Sequence, residues 1–272
     1  MLQYYGILGM PHSWGFVAQF LLVSLLKKGI DLQCISTNAL KGIHTELHSA
    51  LVTDPAKRRN LVTDVSLSYT VPPNLAKIRA SHKILLYNYE TTILPEGFAE
   101  AMNTGAELIL PSSWFSYDIF RDNGVDPDKM AVFPLGYDRA MFNPSFPPLR
   151  FKNIDTEKFK FLMVGSPHWR KGHDVLLRAY IEEFRHDKDV VLIVKSSMNS
   201  HERQSHIHVN FTALFDELRS RYDYPWPEIK LIGHKIDYLA RLYTCADALV
   251  LPTRTEGFSL TPLEAIACKV PV

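Results

Sequence analysis

Residues 248–264 read Ala-Leu-Val-Leu-Pro-Thr-Arg-Thr-Glu-Gly-Phe-Ser-Leu-Thr-Pro-Leu-Glu, from Ala248 to Glu264. The opening run is continuously apolar where a half-exposed strand would alternate, as strands covered on both faces are. Pro252 ends the run, a glycine-containing loop follows, and a helix is expected from about Pro262 to Cys268. A strand–loop–helix junction at the carboxyl edge of a parallel sheet exposes unpaired N–H groups, which suit a diphosphate. Glu256 falls in the loop and Glu264 in the first helical turn. Thr261-Pro262-Leu263-Glu264 also spells a capping box, so the spacing leaves Glu264 as either a helix cap or a ligand-facing carboxylate.

Outward from this stretch the same alternation recurs, which predicts an α/β fold. Expected strands in the first half are Tyr4–Leu8, Leu32–Ser36, Val65–Tyr69, Lys83–Asn88, Glu107–Leu110 and Ala131–Pro134, with helices over Phe16–Lys28 and Trp114–Asn123. Gly29 and Gly124 follow those helices as C-caps. From Asn143 to about Glu157 the pattern lapses into prolines and mixed charge, placing a boundary there, with domains over 1–150 and 151–272. The second half restarts with strands Phe159–Val164, Val190–Lys195, Ile229–Gly233 and Ala248–Pro252, and helices over about His173–Phe184 and Ala213–Tyr222. Val270–Val272 reads as a strand barely begun. A doubly wound half normally closes with further strands, so the expectation is a fragment whose parent continues for roughly 50 to 100 residues.

The chain of 272 residues balances 30 basic against 29 acidic groups, so no global field recruits nucleic acid and an anion must meet a local site. Three well-separated cysteines, Cys34, Cys245 and Cys268, point to reduced thiols and a cytoplasmic protein. No signal peptide or transmembrane segment is legible, because the apolar stretch Gly15–Leu26 is too short to span a bilayer. Peripheral contact with a membrane stays compatible with this composition.

A local site is offered by Val164-Gly165-Ser-Pro-His-Trp-Arg170-Lys171-Gly172, a strand, a glycine turn and two cations leading into a helix. Arginine and lysine at the mouth of a parallel sheet can neutralise a pyrophosphate and stabilise a departing nucleoside diphosphate. Taken alone, such a surface pair is more often just a solvated turn.

Together, Ala248–Phe258, Pro262–Cys268 and Val270-Pro271-Val272 closely resemble the family-4 glycosyltransferases. The resemblance implies a GT-B architecture, two Rossmann-like doubly wound domains facing a cleft, here with the second domain incomplete. It implies a retaining, metal-independent transferase that moves sugar from a nucleoside-diphosphate sugar to a glycan, lipid-linked or small-molecule acceptor, without a cofactor. Carried over by position, Glu256 faces the donor sugar and Glu264 holds the ribose hydroxyls. The amides of Gly257, Phe258, Ser259 and Leu260 line sugar and diphosphate. Gly165 and Lys171 resemble the family's Gly-Arg…Lys-Gly segment. Its arginine is Ser166 here, and Arg170 is the substitute. Lys269 stands where the family usually has glycine. The donor base is expected beside His234 and Lys235. In the first half the resemblance is looser, through Gly9–Gly15, Tyr89–Pro95, Pro111–Trp114 and Val132–Gly136. There Gly15 either approaches the donor diphosphate or only permits a helix start, and His12 and Glu90 are acceptor-side candidates. A non-catalytic nucleotide- or glycan-binding module is the alternative function.

Three patterns are set aside. Asp126-Pro127-Asp128 imitates a metal-binding acid pair but reads as a turn into a strand. His201-Glu202 with His206 and His208 lacks the four-residue spacing that presents two zinc ligands on one helix face. Neither half contains a Gly-x-Gly-x-x-Gly dinucleotide fingerprint.

Overall fold

The expected strands other than Ala131–Pro134 and the beginning at Val270–Val272 each overlap an observed strand, and the two halves build separate sheets. The structure, a computed structural model, describes residues 1–9, 13–196, 208–222 and 225–272. Two units divide it, Met1–Gly136 and Tyr137–Val272.

The first unit holds β1 (Leu2–Gly6), α1 (Ser13–Lys27), β2 (Leu32–Ser36), α2 (Pro55–Asn60), β3 (Thr63–Tyr69), β4 (Ala80–Tyr87), α3 (Phe98–Gly105), β5 (Leu108–Pro111) and α4 (Trp114–Asp122). Its sheet runs β2-β1-β3-β4-β5 with all pairs parallel. The direction of winding reverses between β1 and β3. In doubly wound sheets ligands bind outside the carboxyl ends of the strands at such a reversal. Leu85, Tyr87, Met102, Ile109 and Phe120 form a buried cluster against α3 and α4. Gly124 follows α4 at φ 89°, where a side chain would be strained.

Ala131–Pro134 does not form the expected strand. Ala131 and Phe133 donate single bonds to Ile109 and Pro111 beside β5. β5 is only four residues long, and Pro134 has no N–H with which to extend the ladder.

The second unit holds β6 (Phe159–Val164), α5 (His173–Phe184), β7 (Val190–Lys195), α6 (Phe211–Arg221), β8 (Glu228–Ile232), α7 (Ala240–Tyr243), β9 (Ala248–Leu249) and α8 (Leu260–Ala267). Its parallel sheet runs β8-β7-β6-β9, and the reversal falls between β6 and β9. Val190 to Val194 are all buried, as a strand covered on both faces must be. β9 is shorter than expected, since its chain turns away before Pro252. Val270–Val272 is not a strand, although Leu249 donates to the Pro271 carbonyl.

The division between units falls earlier than the sequence suggested. Leu149 N–H donates to Arg241 O at 2.8 Å, Arg241 Nε donates to Pro147 O at 3.1 Å, and Phe142 packs on Tyr243, which ties the proline-rich crossing to the second unit. Among the described residues no helix is long and apolar enough to cross a membrane. The three cysteines are free.

Candidate active site

At the reversal point of the second sheet, the loop after β6 meets the loop after β9. The first loop ends in a single 3-10 turn, Trp169–Lys171, whose Arg170 N–H donates to His168 Nδ1 at 3.3 Å. Gly172 closes the turn at φ 74°, and a Cβ there would lie 2.0 Å from the Pro252 carbonyl oxygen. Only glycine allows the two loops to approach so closely.

Arg254, on the second loop, fastens them together. Its N–H donates to Arg170 O at 2.7 Å, its Nη1 donates to Trp169 O at 2.9 Å, and its guanidinium lies 4.8 Å from the Trp169 ring centre. The same guanidinium makes a two-pronged pair with the buried Asp174 carboxylate, at 2.9 and 2.8 Å. Burial works to raise the Asp174 pKa, but Arg254 together with the first-turn amides of α5 outweighs it and holds the carboxyl below its ordinary value. Neither Arg254 nor Asp174 is singled out by sequence. The available signals were an acid in a first helical turn and an arginine two positions before Glu256.

This scaffold brings Glu256, Arg170 and Lys171 together. Arg170 Nη1 donates to Glu256 Oε2 at 2.9 Å and to Thr255 O at 3.3 Å, while Lys171 Nζ donates to Glu256 Oε1. The three side chains are 20%, 12% and 14% exposed for Arg170, Lys171 and Glu256, so the pairs sit at a sheltered edge. Gly165 faces the stem of Lys171; a Cβ there would rest 3.6 Å from Lys171 Cγ and Cδ, an ordinary contact.

Gly257 is buried and Phe258 half-buried, leading to Ser259 at φ 65°, ψ 103°. Ser259 gives α8 no side-chain cap, and its Oγ is buried without a hydrogen-bond partner among the described residues. The first-turn N–H groups that begin at Leu260 are thus left for another acceptor.

Glu264 is not a cap. The helix begins at Leu260, ahead of Thr261 and Pro262, so Glu264 lies past the position a capping box requires. It accepts a 2.7 Å hydrogen bond from Tyr243 Oη. Burial raises its pKa to about 7, against the opposing pull of that bond. Beneath the loop, His173 is buried edge-on to Phe211, and desolvation lowers its pKa to about 4, which keeps the ring neutral. His234 and Lys235 lie exposed after β8, at the far edge of the sheet from β9.

In the first unit, Gly15 sits in the first turn of α1, and a Cβ there would meet the Gly9 carbonyl oxygen at 2.2 Å. Close packing at the helix start is reason enough for that glycine. Trp14 stacks on Tyr69 at 5.0 Å, and Tyr69 Oη donates to Asn88 Oδ1 at 2.6 Å. Glu90 is half-buried after β4, near enough to Tyr69 and Tyr87 to add to the burial that raises both phenols. His12 lies outside the described residues, as do His201, Glu202 and His206. His208 packs edge-on to His168 at 5.5 Å. Asp126 accepts from Asp128 N–H at 3.0 Å as the cap of a short turn. Among the described residues no group of three or more metal-ligating side chains is placed to hold an ion.

Comparison with known proteins bears on this half of the chain by family model and on the whole chain by fold. Residues 158–272 match the family model described as Glycosyl transferases group 1. A D-inositol 3-phosphate glycosyltransferase of Paenarthrobacter aurescens (strain TC1) is 26% identical over 182 residues, which is 65% of this chain and 42% of that protein. The chain therefore spans less than half of the curated relative it matches. HepE of Anabaena, solved in complex with UDP and glucose, superposes with a TM-score of 0.66 at 14% identity, covering 100% of this chain and 80% of that one. Sucrose-phosphate synthase from Thermosynechococcus elongatus gives 0.71 at 13% identity, with 100% and 80% covered. These likenesses establish the fold: α/β, of the GT-B class, with two Rossmann-like units.

Proposed function

We propose that the chain carries the donor site of a retaining, metal-independent family-4 glycosyltransferase, which moves sugar from a nucleoside-diphosphate sugar to an acceptor hydroxyl. The observation that carries this reading is the Arg170–Lys171–Glu256 cluster at the reversal point of the second sheet, beside the uncapped start of α8. Two cations and a helix N-terminus suit a diphosphate, and a neighbouring carboxylate suits sugar hydroxyls. The family match over residues 158–272 and the glycosyltransferase relatives support the same assignment.

In this reading Lys171 and Arg170 stabilise the departing diphosphate as its charge grows, and the amides from Gly257 to Leu260 line it. Gly165 leaves room for the diphosphate beside Lys171. Glu256 orients the sugar, Glu264 holds the ribose, and the loop bearing His234 and Lys235 meets the base. The acceptor approaches on the face that the diphosphate leaves, and a β-phosphate oxygen accepts its proton. The first unit serves the acceptor, a glycan, lipid-linked or small molecule, with His12 and Glu90 as its residues for it and Gly15 reaching the donor diphosphate, and the reaction is assigned to the cytoplasm. HepE is described in complex with UDP-glucose, which makes UDP-sugars the first donors to try.

The test is incubation with a panel of nucleotide sugars, following nucleoside diphosphate release and, by NMR, the anomeric configuration of the product. Release with retention is expected. Binding without release would favour a non-catalytic module, to which Ser166 in place of the family's arginine lends weight. Inversion would overturn the family assignment.

A further inference from the structure

The cluster has an internal contradiction that a ligand must resolve. The two groups suited to a diphosphate, Arg170 and Lys171, both donate to the carboxylate suited to a sugar, Glu256. The carboxylate is only 14% exposed, so water can replace those partners only in part. A diphosphate arriving at these cations therefore competes with Glu256 for them. Resting on the donor-site reading above, we infer that Glu256 is a built-in competitor that makes the site select intact nucleotide sugar over free nucleoside diphosphate.

Charge and hydrogen bonding set this preference. The cluster carries two positive charges and one negative. A sugar-bearing diphosphate brings two negative charges, takes over the cations, and offers sugar hydroxyls to the released carboxylate, so every sheltered charge keeps a partner. Free nucleoside diphosphate brings a terminal phosphate with a further negative charge and no hydroxyls in their place. It strands Glu256 without donors and sets like charges side by side, which is costly at low exposure. The same geometry weakens the hold on product once the sugar has gone. Thr255 O, which also accepts from Arg170, is neutral and adds no such penalty.

Calorimetric titration of the whole chain with UDP and with UDP-glucose, or with the matching pair for whichever base binds, tests the inference. Glu256→Gln keeps the side chain's size and removes its charge. We expect it to bind the nucleoside diphosphate more tightly, by about threefold to thirtyfold for loss of a sheltered competing ion pair. Affinity for the nucleotide sugar should not rise with it, so the selectivity ratio falls. Glu256→Ala must move the ratio in the same direction, which guards against an effect peculiar to the amide. An unchanged ratio in both variants, in a wild type whose nucleoside diphosphate binding is abolished by Lys171→Met, would overturn the competitor and leave the donor site standing. Wild-type binding indifferent to Lys171→Met would overturn both.

Discussion

Replacing Arg254 with methionine removes the fastener between the two loops while keeping much of the aliphatic stem. Asp174 is 2% exposed and would lose both of its bonds to Arg254, while the Trp169 carbonyl would lose one donor. Each hydrogen bond to a charged group contributes about 1.5–3 kcal/mol in sheltered sites. Arg254 is 37% exposed and Asp174 keeps amide donors from α5, so most of that nominal sum is screened or replaced. The stacking on Trp169 adds about 0.5–1 kcal/mol. The expected loss is about 2–3 kcal/mol, read from denaturant unfolding of wild type and variant at pH 7.

The pH dependence supplies a sharper signature. Asp174 has a folded pKa below its unfolded value, so its contribution is present above the unfolded pKa, about 4, and lost as pH falls through the folded one. The gap between wild type and Arg254→Met should therefore narrow below about pH 4. A gap under about 0.5 kcal/mol at pH 7, the scale of an ordinary surface change, or one that ignores pH, would refute the fastener.

Glu264→Gln should stabilise the fold at alkaline pH and do so much less, by about 1 kcal/mol, at pH 5. The raised pKa of about 7 means the folded state favours the protonated acid, so wild-type stability falls as pH rises between the unfolded value and about 7, by up to about 3 kcal/mol. Thermal melts at pH 5 and 8 check this, and donor affinity should weaken clearly if Glu264 also holds the ribose. Gly172→Ala should unfold the loop junction, costing about 3 kcal/mol or more, because a Cβ would stand 2.0 Å from a carbonyl oxygen at positive φ. Gly165→Ala should fold normally and lose donor affinity, a contrast that melts and calorimetry measure together. EDTA should leave transfer unaffected; loss of activity restored by magnesium or manganese would bring Asp126 and Asp128 back into consideration.

What was readable in the sequence follows the physics of each feature. Buried parallel strands show as short, mainly apolar runs, uninterrupted from Val190 to Val194, and Leu32–Ser36, Phe159–Val164 and Val190–Lys195 appear with the expected bounds. Edge pairing depends on tertiary neighbours, so Ala131–Pro134, beside the four-residue β5, and the end of β9, where the chain turns away before Pro252, were overestimated. Glu256, Arg170 and Lys171 could be picked out as chemistry, but their mutual ion pairing could not, since it depends on a glycine-enabled contact between loops some 80 residues apart. Asp174, Arg254 and Tyr243 act through tertiary contacts that leave no local spacing to read. The capping box at Thr261 failed because Ser259, at positive φ, takes the cap position and starts the helix two positions too early for threonine to act as cap.

The central claim is that donor binds where the loops after β6 and β9 meet. Diffraction from crystals soaked with nucleoside diphosphate, at a concentration shown by calorimetry to saturate the protein, tests it most directly. The account predicts diphosphate density at the start of α8, against Lys171 and Arg170, with the Glu256 side chain moved off both cations. Density elsewhere on the molecule, with the Arg170–Lys171–Glu256 pairs intact, would contradict it.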